Sequence, residues 1–373
     1  MKVLVVGRDP KLEDERSEAF GRVREYAELF DALHIINFGV SGVARSYGGK
    51  LFLWPTRSRF WGAAALGRKI AREHRIDMVD AQDPGETGII AFLLARLNCL
   101  PFRLQIHTDI FSPWYRSAGW KELARYWIAR FLIPRADCIR VVSERVRNSL
   151  YQAKLGTSKL SLVQVLPIFT DISKFLEARP DAVTEERFRD YDFKMIAVGR
   201  FVDKEKNFSM LIYMMRDFVK MCPGAFLVFV GEGPDQRRYE SRIKNYGLEK
   251  HVILEGWRND LPSFYKSFDL YLMPSNYEGW GRTVIEALAS GLPVVMTDVG
   301  LAGEVVKNGD NGMVVPVGKR AAMLGTVIRL FQNPSERKRL ADAGLDAIKN
   351  LEPKIKEEYL KKYAASYCNP KSR

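Results

Sequence analysis

The sequence has no hydrophobic run long enough to cross a membrane. Its apolar stretches fall short of the roughly 18–20 consecutive residues that a transmembrane helix requires. The chain begins in a strand-like run at Met1–Gly7, without the basic head and cleavage site of a signal peptide. Its four cysteines form no CxxC pair and no evenly spaced framework, so we expect neither disulfides nor a zinc site. These features favour a cytoplasmic location.

Several catalytic and binding motifs are also missing. The sequence contains no Walker P-loop, no GxSxG turn and no spacing typical of a catalytic triad. It has no zinc-finger, RNP or KH pattern and no polybasic tail. The sequence therefore predicts neither a P-loop NTPase nor a serine hydrolase, and we expect no nucleic-acid partner.

Short strand-like runs instead alternate with helical stretches along the chain. The 373 residues, 47% of them hydrophobic, exceed what one hydrophobic core usually supports. The alternation predicts two α/β domains, each with a parallel sheet of about six strands. A polar segment at 171–192 is the predicted linker, which gives an N-terminal domain at 1–180 and a C-terminal domain at 181–350. The last segment, 351–373, is predicted to contain a helix that crosses back to the first domain.

The formal net charge of +13 is concentrated in the N-terminal half. Such a surface suits anionic lipids or phosphorylated ligands, and a solvated surface without a dedicated partner is the alternative. Two helical stretches there, Arg57–Arg75 and Trp120–Arg135, combine arginine with aromatic residues as membrane-surface helices do. For the second stretch we favour packing on the sheet by its apolar side chains, which are Trp127, Ile128, Phe131 and Leu132. For the first stretch both interpretations stay open.

The most informative pattern lies in residues 273–295. A strand ends at Met273, two glycines follow at Gly279 and Gly281, and a helix is predicted from Arg282 or Thr283 to about 290. The glycines let backbone approach a ligand closely, and the first amides of a helix favour an anion. Glu278 precedes that anion site and Glu286 lies about one turn inside the helix. Carboxylates can accept hydrogen bonds from hydroxyl groups, and the nearby amides can bind phosphates. Together they suit a nucleotide sugar.

This stretch resembles the E-x7-E signature of glycosyltransferase family 4, in the GT-B superfamily. The signature is present as Glu278-Gly-Trp-Gly-Arg-Thr-Val-Ile-Glu286. Further segments of the family occur in the same order, and they are Val198-Gly199-Arg200 with Lys206-Asn207, Val230–Pro234, Leu254–Trp257, Pro293–Val295, Gly303–Val306 and Asn311–Val315. The resemblance covers residues 194–320 and implies two facing Rossmann-like domains with an interdomain cleft.

The resemblance also implies roles for individual residues. Arg200 and Lys206 would hold the donor diphosphate, with Lys204 as the alternative lysine. Glu286 would accept hydrogen bonds from the ribose, and Glu278 would contact the transferred sugar. In the first domain, His107 would lie near the donor sugar. The implied catalytic set is Glu278, His107, Arg200 and Lys206, and the donor-binding set is Arg200, Lys206, Gly231, Trp257, Arg258, Glu278, Gly279, Trp280, Gly281, Arg282, Thr283 and Glu286.

Structural roles compete with several of these assignments. Arg200 could form a surface salt bridge, Glu286 could pair with Arg282 one turn earlier, and His107 could be a hydrogen-bonded structural residue. Asp190-Tyr191-Asp192 spells the DxD pattern of metal-dependent glycosyltransferases, but it precedes a strand within a charged segment, and we interpret it as chance. With arginine, lysine and helix amides available for the diphosphate, we expect no metal and no cofactor.

The activity that follows from the resemblance is that of a retaining, metal-independent hexosyltransferase. Its substrates would be a nucleotide-diphosphate sugar and a hydroxyl acceptor, either a glycan or a lipid-linked saccharide. The basic N-terminal domain would then contact an anionic membrane at its cytoplasmic face. A GT-B sugar-nucleotide epimerase and a non-catalytic nucleotide-sugar binding protein are the alternatives.

Overall fold

A computed structural model describes residues 1–58, 60–155, 163–351 and 355–367. The chain divides into two compact units, one formed by Met1–Pro167 with Ile355–Arg373 and the other by Ile168–Lys354. Both units are α/β, and each is built on a mainly parallel sheet. The prediction of two parallel-sheet α/β domains is therefore confirmed.

The first unit contains an eight-stranded sheet among its described residues. Its strands are β1 (Lys2–Gly7), β2 (Ala32–Phe38), β3 (Arg45–Tyr47), β4 (Leu51–Thr56), β5 (Met78–Ala81), β6 (Phe102–Ile106), β7 (Cys138–Val141) and β8 (Val163–Val165). The spatial order is β3-β4-β2-β1-β5-β6-β7-β8, and all pairs are parallel except β3 with β4. The helices of this unit are α1 (Glu18–Ala27), α2 (Phe60–Glu73), α3 (Glu86–Leu97), α4 (Pro113–Ser117), α5 (Trp120–Leu132), α6 (Glu144–Gln152) and α16 (Lys356–Ala365).

The antiparallel β3–β4 pair is absent from the sequence prediction. Gly48 and Gly49 adopt left-handed φ values of 59° and 70°, and they turn the chain between the two strands. Strand β3 has only three residues and lies at the sheet edge, so it carries no apolar run that would have revealed it.

The second unit is built on a six-stranded parallel sheet. Its strands are β9 (Phe193–Val198), β10 (Ala225–Val230), β11 (Val252–Gly256), β12 (Leu270–Met273), β13 (Val294–Thr297) and β14 (Met313–Val315), in the order β11-β10-β9-β12-β13-β14. Every residue of β10 is buried, as expected for a parallel strand covered on both faces. The helices are α7 (Ser173–Glu177), α8 (Ala182–Arg187), α9 (Asp203–Lys206), α10 (Phe208–Phe218), α11 (Gln236–Asn245), α12 (Leu261–Tyr265), α13 (Arg282–Ala289), α14 (Arg320–Gln332) and α15 (Pro334–Lys349).

The units divide after Pro167, whereas the sequence prediction placed the boundary at residue 180. The predicted linker contains α7 and α8, and α7 packs against α12 and α13 of the second unit. Phe175 accounts for this packing, because its side chain is buried and its ring lies edge-on to that of Tyr265. A single buried aromatic in a polar segment leaves no periodic pattern for a sequence reading to detect.

A buried polar network connects the end of the chain to the first sheet. The Asp80 carboxylate accepts hydrogen bonds from Arg103 at 2.9 Å, Gln105 at 2.7 Å and the Tyr367 hydroxyl at 3.0 Å. Arg140 donates to the Gln105 side chain at 2.9 Å. The two arginines and the aspartate are almost fully buried, so these hydrogen bonds and charges must compensate each of them for the hydration that it loses. Of the segment 351–373, residues 352–354 and 368–373 lie outside the described residues.

One expectation about cysteine is wrong. Cys138, the first residue of β7, is disulfide-bonded, whereas Cys99 and Cys222 are free thiols. Spacing along the chain did not reveal this bond, because it does not specify which thiols meet in space. Across the described ranges, no helix combines the length and apolar character that a bilayer crossing would need.

We predict that acid weakens the first unit through His34. This buried side chain in β2 accepts a hydrogen bond from the Trp54 indole at 3.3 Å, and burial, with the nearby His74 and Lys2, lowers its pKa to about 4. An unfolded histidine titrates near 6.5, so the stabilisation is complete above that pH and is lost as pH falls toward 4. We expect a loss of about 1–2 kcal/mol between pH 7 and pH 5.

Thermal unfolding at both pH values measures this loss. His34→Gln should reduce the difference between the two midpoints, whereas His251→Gln in the second unit should leave it unchanged. An equal pH difference in wild type and His34→Gln would contradict the prediction.

Candidate functional site

The candidate site of the second unit lies where its chain reverses direction across the sheet. From the central strand β9 the chain moves outward through β10 and β11, then returns to β12 on the other side of β9. Ligands of open parallel sheets bind at the carboxyl ends of strands that flank such a switch point. The loops after β9 and β12 carry Arg200, Lys206 and Glu278, so three residues predicted from sequence emerge at this point.

An ion pair joins these two loops. The Lys206 ammonium lies 2.5 Å from the Glu278 carboxylate, which also accepts a hydrogen bond from Ser275 Oγ at 2.9 Å. The two charged side chains are only 15% and 12% exposed. Burial acts to lower the pKa of Lys206, but the charges of Glu278 and Glu205 outweigh it and raise the pKa above its ordinary value. Lys206 is therefore a cation held in a largely desolvated position.

Arg200 belongs to the same charge cluster through Glu205. Its guanidinium lies 3.0 Å from the Glu205 carboxylate, whose other oxygen lies 3.1 Å from Lys206. The Arg200 side chain is 70% exposed, so it can reach a ligand from solvent. Lys204, the alternative lysine, is exposed, and its carbonyl accepts a hydrogen bond from the Asn276 side chain. The geometry favours Lys206 over Lys204 as the second cation of this cluster.

Gly231 allows the ends of β9 and β10 to approach closely. Its φ of 140° is rare for other residues, and a Cβ there would lie 2.0 Å from the Gly199 carbonyl oxygen. The Gly231 amide donates to the Gly256 carbonyl at the end of β11, at 2.8 Å. The glycine therefore fixes the loop geometry beside Arg200, which is a structural reason for this residue type.

The glycine turn after Glu278 leads directly into α13. Gly281 precedes the helix with a left-handed φ of 98°, and the Trp280 carbonyl accepts a hydrogen bond from the Leu301 amide at 2.9 Å. The Trp280 side chain is buried, and its indole nitrogen has no hydrogen-bond partner among the described residues. The turn of Gly279, Trp280 and Gly281 thus lies between Glu278 and the amino end of α13, whose first amides favour an anion.

Glu286 is buried within α13. Arg282 donates to its carboxylate at 3.0 Å, which is the structural pairing that competes with a ligand role. The Glu286 side chain is only 4% exposed, however, so it is not an ordinary surface partner of an arginine one turn away. Thr283 accepts a hydrogen bond from the Tyr271 hydroxyl at 2.6 Å, which fixes the first turn of the helix.

Trp257 and Arg258 follow β11. The Trp257 side chain is 59% exposed and donates to the Asn259 side chain at 3.1 Å. Arg258 donates to Glu255 and Asp260, and its guanidinium lies 4.1 Å from the centre of the Phe264 ring. Arg258 is thus held by the protein, whereas the indole of Trp257 offers an accessible face.

His107 lies in the first unit, directly after β6. Desolvation, together with the charges of Arg140, Arg103 and Arg22, lowers its pKa to about 3, so the imidazole is neutral at pH 7. Its Nδ1 atom is buried and has no hydrogen-bond partner in the described part of this unit. In the neighbouring Asp109, by contrast, burial raises the pKa above its ordinary value. His107 is therefore a neutral ring with one unused polar atom, which suits a hydrogen bond to a ligand.

The DxD pattern at 190–192 is integrated into the second unit. The Tyr191 ring stacks on Phe226 at 4.3 Å, and its hydroxyl donates to the Lys250 carbonyl at 2.7 Å. No cluster of three histidine, cysteine or acidic side chains suitable for a metal occurs within residues 1–58, 60–155, 163–351 and 355–367.

Sequence reasoning missed Glu205 and Ser275. Glu205 lies in the run Asp203-Lys-Glu-Lys206, which reads as an exposed charged segment until the short helix α9 is seen to turn its carboxylate toward Lys206. Ser275 gives no sequence signal, because its hydrogen bond to Glu278 depends on the turn between them.

Two family models match the chain. The model described as Glycosyltransferase Family 4 matches residues 3–167, and the one described as Glycosyl transferases group 1 matches residues 179–346. Together they cover both units.

Curated proteins and solved structures resemble the chain over most of its length. An alpha-D-kanosaminyltransferase of Streptomyces kanamyceticus is 24% identical across 82% of this chain and 78% of its own length. A UDP-Gal:alpha-D-GlcNAc-diphosphoundecaprenol alpha-1,3-galactosyltransferase of Escherichia coli is 23% identical across 78% of this chain and 77% of its own length. The crystal structure of Anabaena Alr3699/HepE in complex with UDP and glucose has a TM-score of 0.77 at 18% identity, covering 98% of this chain and 99% of that one. That likeness shows a GT-B fold, as the sequence predicted.

We predict that Gly231→Ala destabilises the second unit. The new methyl group would overlap the Gly199 carbonyl and force the backbone from its φ of 140°, at an expected cost of about 2–4 kcal/mol. Gly247→Ala is the matched control, since Gly247 has a φ of 63° but open space around its Cβ position, and it should cost only about 1 kcal/mol. Denaturant unfolding followed by circular dichroism compares the two variants, and equal losses would refute the steric argument.

Proposed function

We propose that this chain, which belongs to the glycosyltransferases of group 1 and family 4, transfers a hexose from a nucleoside-diphosphate donor to a hydroxyl acceptor with retention of anomeric configuration. The observation that carries the proposal is the mostly buried Lys206–Glu278 pair at the switch point of the second sheet. At this point a cation that can bind phosphate lies beside a carboxylate that can accept hydrogen bonds from sugar hydroxyls.

Arg200 and Lys206 supply the charge stabilisation that this reaction requires. As the bond to the sugar breaks, negative charge grows on the departing diphosphate, and prepositioned cations stabilise it without reorganisation. The amides at the start of α13 add to the same field. We therefore assign the diphosphate to Arg200, Lys206 and the Gly279–Gly281 turn.

The sugar and the nucleoside are assigned to the remaining residues. Glu278 would accept hydrogen bonds from hydroxyls of the transferred sugar, and Glu286 from the ribose after its bond with Arg282 rearranges. The exposed indole face of Trp257 suits a nucleobase. UDP is the first nucleotide to test, since UDP is bound in the Anabaena structure and the Escherichia coli relative is named for UDP-Gal.

Retention is consistent with the available groups. The acceptor hydroxyl would attack on the face from which the diphosphate leaves, and the departing phosphate would take the acceptor proton. His107 would contact the donor sugar as a neutral hydrogen-bonding ring rather than as an acid, because its pKa of about 3 leaves it unprotonated at pH 7. None of these steps uses a metal ion or a cofactor.

We predict that one nucleotide class stabilises the wild type and that Arg200→Ala and Glu286→Ala lose the effect. A ligand at about 100 times its dissociation constant adds about 2.7 kcal/mol, a shift that is visible in thermal unfolding with UDP, GDP and ADP. Arg329→Ala is the control, because Arg329 pairs with Glu336 away from the strand ends and should retain the shift. No shift with any of the three nucleotides would reject the donor assignment.

Two assays separate the proposed transferase from the alternative functions: incubation with the nucleotide sugar alone, and incubation with the nucleotide sugar and an acceptor. An epimerase would change the sugar without an acceptor, and a binding protein would show a thermal shift but no turnover with any acceptor. Neither result is expected of a transferase.

We further propose that the acceptor is a glycan or lipid-linked saccharide reached at the cytoplasmic face of an anionic membrane. The support is a stripe of exposed apolar side chains on α5, formed by Trp120, Leu123, Trp127 and Phe131, which are 76%, 44%, 60% and 48% exposed. Their spacing of three, four and four residues places them on one helix face. The expectation that these side chains pack on the sheet is wrong for Trp127, which is largely exposed, whereas Leu132 is fully buried as expected. Ile128 is partly buried, and Phe131 lies edge-on to Phe92 of α3 with 48% of its side chain exposed.

Basic side chains flank this stripe. The Arg135 guanidinium lies 3.9 Å from the centre of the Phe131 ring, and Arg130 lies 5.8 Å from that of Trp127. In helices that lie on anionic bilayers, aromatic rings are placed at the level of the lipid headgroups and arginines point toward the lipid phosphates. In the first stretch, Trp61 of α2 is 79% exposed, and Arg59 lies outside the described residues.

We predict that Trp120→Ser with Trp127→Ser abolishes flotation with phosphatidylglycerol vesicles at low salt, because the stripe loses most of its interfacial area. Trp257→Ser removes an equally exposed tryptophan from the second unit and should leave flotation unchanged. Failure of the wild type to float would remove the membrane proposal and leave the transferase assignment intact.

A further inference from the structure

The charge cluster at the strand ends is balanced by the protein itself. Two cations, Arg200 and Lys206, face two carboxylates, Glu205 and Glu278. Glu205 contacts both cations, with one carboxylate oxygen on each. A diphosphate entering this cluster therefore meets a net charge near zero rather than an exposed positive pocket.

Glu205 is held in place by backbone bonds. Its carbonyl accepts from the Asn276 amide at 2.8 Å, and Asn276 also donates to the Lys204 carbonyl and accepts from the Asn207 side chain. These bonds join α9 to the loop after β12, the loop that carries Glu278. The side chain is 19% exposed, so solvent screens its charge only in part.

We propose that Glu205 competes with the donor diphosphate for Arg200 and Lys206, and so weakens nucleotide binding and promotes release of the nucleotide product. This inference rests on the proposed function. When the diphosphate is bound, Arg200 turns from Glu205 to the phosphate oxygens. When the product leaves, the Glu205 carboxylate takes its place beside Arg200 and Lys206, and Lys206 keeps Glu278 as its other partner throughout.

The protonation state of Glu205 is consistent with this role. Burial acts to raise its pKa, but the charges of Lys206 and Arg200 outweigh burial and hold the pKa below its ordinary value. Glu205 therefore carries its charge throughout the physiological range and opposes a second anion in the same place.

Calorimetric titration of wild type, Glu205→Gln and Glu205→Asp with UDP tests the proposal. Glu205→Gln keeps the shape of the side chain and removes one negative charge within reach of the diphosphate, so the UDP dissociation constant should fall about tenfold. The decrease should become smaller as salt is added. Glu205→Asp retains the charge and should stay close to wild type.

Uridine is the matched control ligand, because it lacks phosphate. Its affinity should be the same for wild type and Glu205→Gln if the effect is electrostatic. UDP binding that is unchanged or weaker in Glu205→Gln would overturn the proposal and make Glu205 a residue that positions Arg200. A wild type that binds none of UDP, GDP and ADP would instead reject the proposed function itself, so the two failures are distinguishable.

Discussion

The ion pair between Lys206 and Glu278 is the interaction on which the candidate site depends. It joins the loop after β9 to the loop after β12, two strands that are neighbours in space although about 70 residues separate them along the chain. Both charges are mostly buried, so removal of Lys206 would leave Glu278 with the neutral Ser275 hydroxyl in place of a cation, whereas removal of Glu278 would leave Lys206 with Glu205. The glycine turn into α13 and the bonds from Asn276 to α9 hold the two loops at the separation that this pair requires.

The packing of the second sheet explains why most residues of the candidate site lie in the loops that follow its strands. Strand β10 of the second sheet buries every side chain on both faces, so the polar groups of the candidate site lie beyond the strand ends. Gly231 lets two of these ends approach to backbone contact, and the Trp280 side chain of the glycine turn is buried. The change from a packed strand residue to a residue of the candidate site therefore takes only one or two positions. Met273 is buried at the end of β12, and Ser275 already donates a hydrogen bond to Glu278.

Sequence patterns captured the parts of this arrangement that repeat in a regular way. The six strands of the second sheet follow apolar runs, and Glu278, Glu286, Arg200 and Lys206 follow motif spacing, although their roles stay proposals. The pattern did not reveal Glu205, because a glutamate in a charged run looks solvated until the helix turns it toward Lys206. It also misjudged Trp127, because apolar residues at helical spacing usually face a core and composition alone does not specify which face is covered.

The protonation state of His107 bears on the proposed mechanism. Burial lowers the pKa of His107, and so do the charges of two buried arginines of the first sheet, Arg140 and Arg103, which Gln105 and Asp80 hold in place. A neutral imidazole with a pKa of about 3 supplies no proton to a leaving group at pH 7. In the proposed reaction, the charge that develops on the diphosphate would then be stabilised by fixed cations and helix amides. The buried network that connects the end of the chain to the first sheet thus also favours the neutral form of His107.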